Sequence, residues 1–167
     1  MIRRVHIIGR KNSGKTTLMA ELVTHLTSQG RRVGAIKHTH HHHELDTPGK
    51  DSHRHRQAGA AVVGILSRQM SAVFQPVDEN DRAADRYERM LAAFGGCDLV
   101  LVEGDSQTDA PKIEVWRAVS QAPPLAADDP SITAIVTDDD GHGLPIDALP
   151  RSDVAGLAAW ILATYFA

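Results

Sequence analysis

Gly9-Arg10-Lys11-Asn12-Ser13-Gly14-Lys15-Thr16 follows the apolar run Val5-His6-Ile7-Ile8 and precedes a segment of helical spacing. The stretch completes a G-x-x-x-x-G-K-[ST] loop between a strand and a helix, where such a loop acts as a phosphate cradle. Its glycines let backbone N–H groups turn toward phosphate oxygens, Lys15 supplies a point charge for the β- and γ-phosphates, and the Thr16 hydroxyl can ligate Mg²⁺. The next helix, expected to begin near Thr17, aims its positive dipole end at the same anion. Gly9, Lys11, Asn12, Ser13, Gly14, Lys15, Thr16 and Thr17 are therefore the predicted contacts to a nucleoside triphosphate. A chance glycine turn would not reproduce both the fixed positions and the flanks.

Working outward, Leu18, Leu22 and Leu26 recur at helical spacing and Gly30 is placed to end that helix in a left-handed cap. A strand is expected over Arg32–Lys37, then the polar stretch His38–Arg56, too long for an idle connection in a compact domain. Val62–Leu66 and Ala72–Phe74 read as short strands. Ala83, Tyr87, Met90 or Leu91, and Phe94 mark a helix closed by Gly95-Gly96. Leu99–Val102 is the most apolar strand, Lys112–Trp116 alternates, 117–131 with Pro123-Pro124 is loop, and Ile132–Val136 is a buried-strand candidate. Ser152 is placed to cap a last helix with Val154, Leu157 and Ile161 inward. Strands alternating with helices predict an α/β fold of the P-loop NTPase type, three-layered, with a mostly parallel sheet and Ala72–Phe74 and Lys112–Trp116 as extra or edge strands.

The 167 residues, 42% hydrophobic, suit a single domain over 1–167. A net charge of −3 and a pI near 6.3 argue against general binding to nucleic acid or a membrane surface. Cys97 stands alone, which excludes an internal disulfide and fits a reduced, inert thiol. Neither a signal peptide's apolar core nor an apolar stretch of ~18 residues occurs, so a cytoplasmic protein is expected.

In an open parallel sheet, ligands meet the carboxyl ends of the strands. Asp98 precedes the run Leu99–Val102 and reads as a turn or cap residue. Glu103 ends the run, and Gly104 lets the chain leave closely past a ligand. Glu103 is thus the acidic partner of the loop, holding Mg²⁺ or orienting the attacking water. Lys37 and His38 also end a strand and face the phosphate edge. Thr137-Asp138-Asp139, after Ile132–Val136, reaches the edge that meets the base. A carboxylate at Asp138 or Asp139 can accept from the N1–H and N2–H₂ donor pair of guanine, which adenine lacks, so the placement leans toward GTP; an ordinary acidic turn gives the same residues.

Seven histidines, His38, His40 to His43, His53 and His55, share the 38–56 segment with Glu44, Asp46, Asp51, Lys50, Arg54 and Arg56. Two functional readings compete with a plain solvated loop. Clustered imidazoles and carboxylates suit Zn²⁺ or Ni²⁺, as in a GTP-dependent metallochaperone. Alternatively the cations bind a phosphorylated substrate or the triphosphate, with Asp46 or Asp51 supporting the metal, as in a small-molecule kinase.

Gly9–Thr17, the stretches Ile36-Lys37-His38-Thr39-His40, Asp46-Thr47-Pro48-Gly49-Lys50-Asp51-Ser52 and Arg54-His55-Arg56, and Leu101-Val102-Glu103-Gly104 with Pro111-Lys112-Ile113-Glu114-Val115 together resemble the molybdopterin-guanine dinucleotide biosynthesis protein B family. The likeness runs from the first strand through Arg117 and more loosely beyond. It implies a dimeric P-loop protein that binds GTP and Mg²⁺ with feeble GTPase activity and assists a separate molybdopterin guanylyltransferase in joining GMP to molybdopterin. It carries the phosphate-loop roles to Gly9, Gly14, Lys15, Thr16 and Thr17 and the acidic role to Glu103, with Lys15 and Glu103 serving any hydrolysis. Where the family commonly continues Val-Glu-Gly-Phe-Lys, this chain has Asp105-Ser106. No Asn-Lys-x-Asp guanine signature occurs.

Overall fold

The computed structural model describes residues 4–40, 44–78, 81–140 and 142–166, with 83 and 84 by backbone alone. The chain forms two compact units, one of Met1–Thr39 with Met90–Ala167 and the other of His40–Arg89.

The first unit is built on a six-stranded sheet of β1 (Arg4–Ile8), β2 (Val33–Lys37), β5 (Leu99–Glu103), β6 (Lys112–Val115), β7 (Ile132–Val136) and β8 (Asp147–Leu149), in the order β2-β5-β1-β6-β7-β8. Every pairing in it is parallel. The predicted α/β fold with a parallel sheet is what the chain adopts. Leu99, Val100, Leu101 and Val102 are all fully buried, as a strand covered on both faces requires.

Helices α1 (Lys15–Ser28) and α4 (Val154–Tyr165) pack together on one face. Their Leu18, Leu22, Leu26, Leu157 and Ile161 meet Val5 and Ile7 of β1, Leu99 and Leu101 of β5, and Ile113 and Val115 of β6. Burying each such side chain contributes roughly 1.5–3 kcal/mol. Alternation then sends His6, Lys112 and Glu114 to the opposite face, where they are also buried. α1 ends as its glycine foretells: Gly30 has φ 81, its N–H donates to Thr27 O, and the Arg31 N–H reaches back to Leu26 O.

In the second unit α2 (Asp51–Gln57) accompanies an antiparallel hairpin of β3 (Val63–Leu66) and β4 (Ser71–Phe74). The Arg56 guanidinium lies 5.6 Å from the Phe74 ring centre. The unit's boundary falls within α3 (Ala83–Leu91).

Three sequence expectations are corrected. Lys112–Val115 is an interior strand between β1 and β7, not an edge. Ser71–Phe74 joins only β3, in a separate sheet. Asp153, not Ser152, caps α4, its carboxylate accepting from the Gly156 N–H at 2.8 Å. The short edge strand β8 has too few residues to show a period. Among the described residues, no helix is long and apolar enough to cross a membrane.

Candidate phosphate-binding site

The loop after β1 is shaped by backbone that few side chains tolerate. Gly9 has φ 146, and a Cβ there would stand 2.4 Å from Val115 O and 2.8 Å from Ser13 Oγ. Only glycine fits between the loop and the end of β6. Asn12 at φ 64 and Gly14 at φ 94 complete a turn that leads directly into α1. Lys11 and Asn12 expose their side chains, while Ser13 is buried.

Lys15 arches back over the loop, its Nζ donating to Arg10 O at 2.6 Å and to Ser13 Oγ at 3.3 Å. Burial lowers its pKa from the ordinary lysine value, with Glu103 opposing that shift. The ammonium is thus held over the loop by the loop's own oxygens.

Thr16 Oγ1 donates to Glu103 Oε1 at 2.8 Å. β5 lies beside β1 in the sheet, so the strand-end carboxylate arrives next to the motif's hydroxyl as the topology rule requires. Glu103 is 7% exposed. Its burial pushes the carboxyl up, yet hydrogen bonds from Lys37 and Thr16 outweigh this and hold it below the usual range. A hydroxyl and a carboxylate side by side, both hard oxygen donors at the rim of an anion-binding loop, fit Mg²⁺ completed by phosphate oxygens and water.

Lys37 and His38 both reach this rim. Lys37 pairs in register with Glu103, and its Nζ donates to the same Oε1 that Thr16 uses. The His38 N–H donates to Glu103 O at 2.9 Å, and its Nδ1 lies 3.8 Å from the buried Asp105 carboxylate. Gly104, at φ 93, lets the chain pass His38, whose carbonyl would be 3.2 Å from a Cβ. The close passage foreseen for Gly104 is therefore past His38.

A cleft of about 390 Å³ opens beside Ser13, Gly14 and Thr17 toward Trp116, Arg117, Asp138, Asp139, Arg151 and Ser152. Asp138 and Asp139 thus share one concavity with the loop. Each also serves the protein: Asp138 Oδ1 accepts from the N–H and hydroxyl of Ser152, and Asp139 Oδ2 from the Ala118 N–H. Asp98 is a turn residue, exchanging hydrogen bonds with the Arg32 backbone.

Asp46, expected as a metal ligand, belongs to the second unit. Its Oδ1 accepts from the Thr47 N–H and the Ser52 hydroxyl, both at 2.8 Å, which fastens the Thr47–Lys50 turn to α2. His41, His42 and His43 lie outside the described residues. Among the described residues, no group of three or more His, Cys, Asp or Glu side chains is arranged to hold a metal ion.

Glu114 was not singled out as a site residue. It is fully buried on β6, accepts from the N–H groups of Leu125 at 2.8 Å and Ala126 at 2.9 Å, and its pKa is raised by burial. Its signal was a carboxylate between Ile113 and Val115 in an apolar strand. Arg10 donates to Pro123 O on the same connection, so the 117–127 segment is tied to β6 through Glu114 and to the phosphate loop through Arg10. Trp116 and Arg151 at the cleft gave no local signal.

The sequence profile of a family described as molybdopterin guanine dinucleotide synthesis protein B matches residues 4–138. The molybdopterin-guanine dinucleotide biosynthesis adapter protein of Escherichia coli K12 is 33% identical over 151 residues, 90% of this chain and 86% of that protein. The adapter protein of the same description from Haemophilus influenzae is 37% identical, over 78% of this chain and 72% of its own length. A crystal structure of molybdopterin-guanine biosynthesis protein B superposes with a TM-score of 0.71 at 28% identity, covering 96% of this chain and 97% of its own. Bacillus subtilis MobB, at 20% identity, shares the fold with a TM-score of 0.70 over 98% of both chains. With its phosphate loop, its strand-end glutamate and a profile match through most of its length, the chain belongs to the MobB family of molybdopterin guanine dinucleotide synthesis proteins.

Proposed function

We propose that this chain binds GTP with Mg²⁺ in its phosphate loop and acts as an accessory to a molybdopterin guanylyltransferase, assisting the attachment of GMP to molybdopterin. The observation that carries the nucleotide reading is the Thr16–Glu103 hydrogen bond, which joins the motif's hydroxyl to the strand-end carboxylate beside the Lys15 ammonium. The biosynthetic role rests on the adapter relatives.

On this reading Gly9 and the N–H groups of 11–17 enclose the triphosphate, and Lys15 stabilises charge on the β–γ bridge and γ-phosphate. Thr16 and Glu103 would hold Mg²⁺, which would supply charge neutralisation to the bound triphosphate. Lys37 and His38 border the γ-phosphate, and the base enters the cleft at Asp138 and Asp139. Hydrolysis is slow, because no arginine is fixed against the loop as a transition-state finger among the described contacts; Arg10 is committed to Pro123 O. The site of action is the cytoplasm.

A second copy of the chain is the proposed companion of the β3–β4 hairpin. Leu66, Met70 and Val73 are 88%, 76% and 68% exposed there, and a two-stranded sheet alone is marginal. Sedimentation of the chain and of Leu66→Glu measures this: a dimer reduced to monomer by the substitution is expected, and a monomeric starting chain would remove the idea. The biosynthetic role is tested by guanylyl transfer to molybdopterin with the purified transferase. Addition of the chain and GTP is expected to raise product formation, and Lys15→Ala to cancel the gain; no gain from the unaltered chain refutes the assignment.

A further inference from the structure

Glu103 Oε1 accepts two hydrogen bonds, from Thr16 Oγ1 at 2.8 Å and from Lys37 Nζ. The Lys37 contact is built into the sheet rather than reached by chance. Lys37 and Glu103 are direct partners in the parallel register of β2 and β5, so their side chains leave the same face at the same level. The two members differ in freedom: the Glu103 side chain is 9% exposed and the Lys37 side chain 60% exposed. A nearly buried carboxylate is costly to leave without a cation, whereas an exposed lysine stem can swing away at little cost.

We propose that the Lys37 ammonium is a placeholder for the divalent cation, sitting on the carboxylate oxygen that the metal takes and leaving it when Mg²⁺ and a triphosphate arrive together. This rests on the reading of Thr16 and Glu103 as the metal-holding pair. Thr16 and Lys37 converge on one oxygen, and a divalent ion bound there would face the ammonium at close range, so both cations cannot occupy it. Released from Glu103, the ammonium needs a new anion, and the triphosphate brings one. Metal alone then competes against an attached internal cation, while metal with nucleotide gives that cation somewhere to go. The device couples Mg²⁺ affinity to nucleotide and keeps Glu103 neutralised between the two.

The test is Mn²⁺ binding without nucleotide, read at pH 8 from the free-ion electron paramagnetic resonance signal, for the unaltered chain, Lys37→Met and Lys37→Arg. Lys37→Met keeps the stem and removes the competitor; it is expected to bind Mn²⁺ at least about tenfold more tightly than the unaltered chain, with Glu103→Gln added to Lys37→Met abolishing the gain. Lys37→Arg keeps a cation on Glu103 and is expected to bind as weakly as the parent, which also serves if Lys37→Met folds poorly. Unchanged or weaker Mn²⁺ binding by folded Lys37→Met, or strong binding by Lys37→Arg, overturns the proposal. Titration of the unaltered chain with GTP and Mg²⁺ is read separately, so failure of nucleotide binding is distinguishable from failure of the placeholder.

Discussion

Thr16 and Glu103, 87 positions apart in sequence, meet at 2.8 Å because β5 lies beside β1 in the sheet. The hydroxyl closes the phosphate loop and the carboxylate closes the neighbouring strand. Substituting Glu103→Gln keeps an oxygen for Thr16 but discards the charge a divalent ion needs. The expected outcome is a folded protein whose GTP affinity no longer rises with Mg²⁺, measured by titration at zero and millimolar metal. A metal response equal to that of the parent would contradict the role given to Glu103.

Gly9→Ala tests the loop rather than the charge. Its Cβ would be driven to 2.4 Å from Val115 O at a φ of 146, so the loop must move away from β6. Nucleotide affinity is expected to fall roughly 10- to 100-fold, with the thermal midpoint falling as well, since strained backbone costs about 1–3 kcal/mol. Wild-type affinity in this variant would mean the loop is adaptable.

Glu114 holds two backbone amides and has no exposure. Glu114→Ala leaves both amides without their acceptor and opens a void, with an expected loss of about 2–4 kcal/mol in denaturant unfolding. Glu114→Gln retains one carbonyl acceptor and should lose less. Because Arg10 is tied to the same 117–127 segment, Glu114→Ala should also weaken nucleotide binding although the residue is not placed on the ligand.

Lys112 is 3% exposed and donates to Ser106 O and to Asp129, the latter at 2.7 Å. Lys112→Met preserves the stem and removes the ammonium. Asp129 keeps its bonds from Ser131, so the loss should be about 1–3 kcal/mol, below that of a fully buried pair. The Lys112 contact is the chief cause holding the Asp129 carboxyl below its ordinary value, so the variant should also lose part of the stability that the parent forfeits in acid below the ordinary aspartate range.

His6 sets a pH dependence nearer neutrality. Fully buried, with Nδ1 donating to Gly104 O and Nε2 accepting from Arg4, it is held neutral, its pKa lowered to about 4 by burial. Between the unfolded value of about 6.5 and the folded value, the unfolded chain binds the extra proton. This stability is therefore complete above pH 6.5 and lost as pH falls to about 4, by on the order of 3 kcal/mol at about 1.4 kcal/mol per unit. Denaturant unfolding of the parent and of His6→Gln across that range should show the slope only in the parent; equal slopes would assign it elsewhere.

The phosphate loop, the Leu18–Leu22–Leu26 face, the apolar strand before Glu103 and the parallel sheet were legible because each is written in contiguous residues with one period. The interior position of Lys112–Val115 was not. Its alternation resembles an edge strand, and only the structure shows that its polar members Lys112 and Glu114 are buried because they bind the 105–110 and 117–129 connections. The base-side cleft was half legible: Asp138 and Asp139 follow a strand, but Trp116-Arg117 and Arg151 come from two other places in the chain. Lys37 was readable as a phosphate-edge residue, while its hold on Glu103 depends on cross-strand register, which local sequence does not encode.

The most direct measurement is a calorimetric titration of the chain with GTP and, separately, with ATP, each with Mg²⁺, beside Lys15→Ala. Saturable binding with a clear preference for GTP, weakened roughly 10- to 150-fold by loss of the Lys15 contacts, is the expected result. Equal or tighter ATP binding, or GTP binding that Lys15→Ala leaves unchanged, would contradict it.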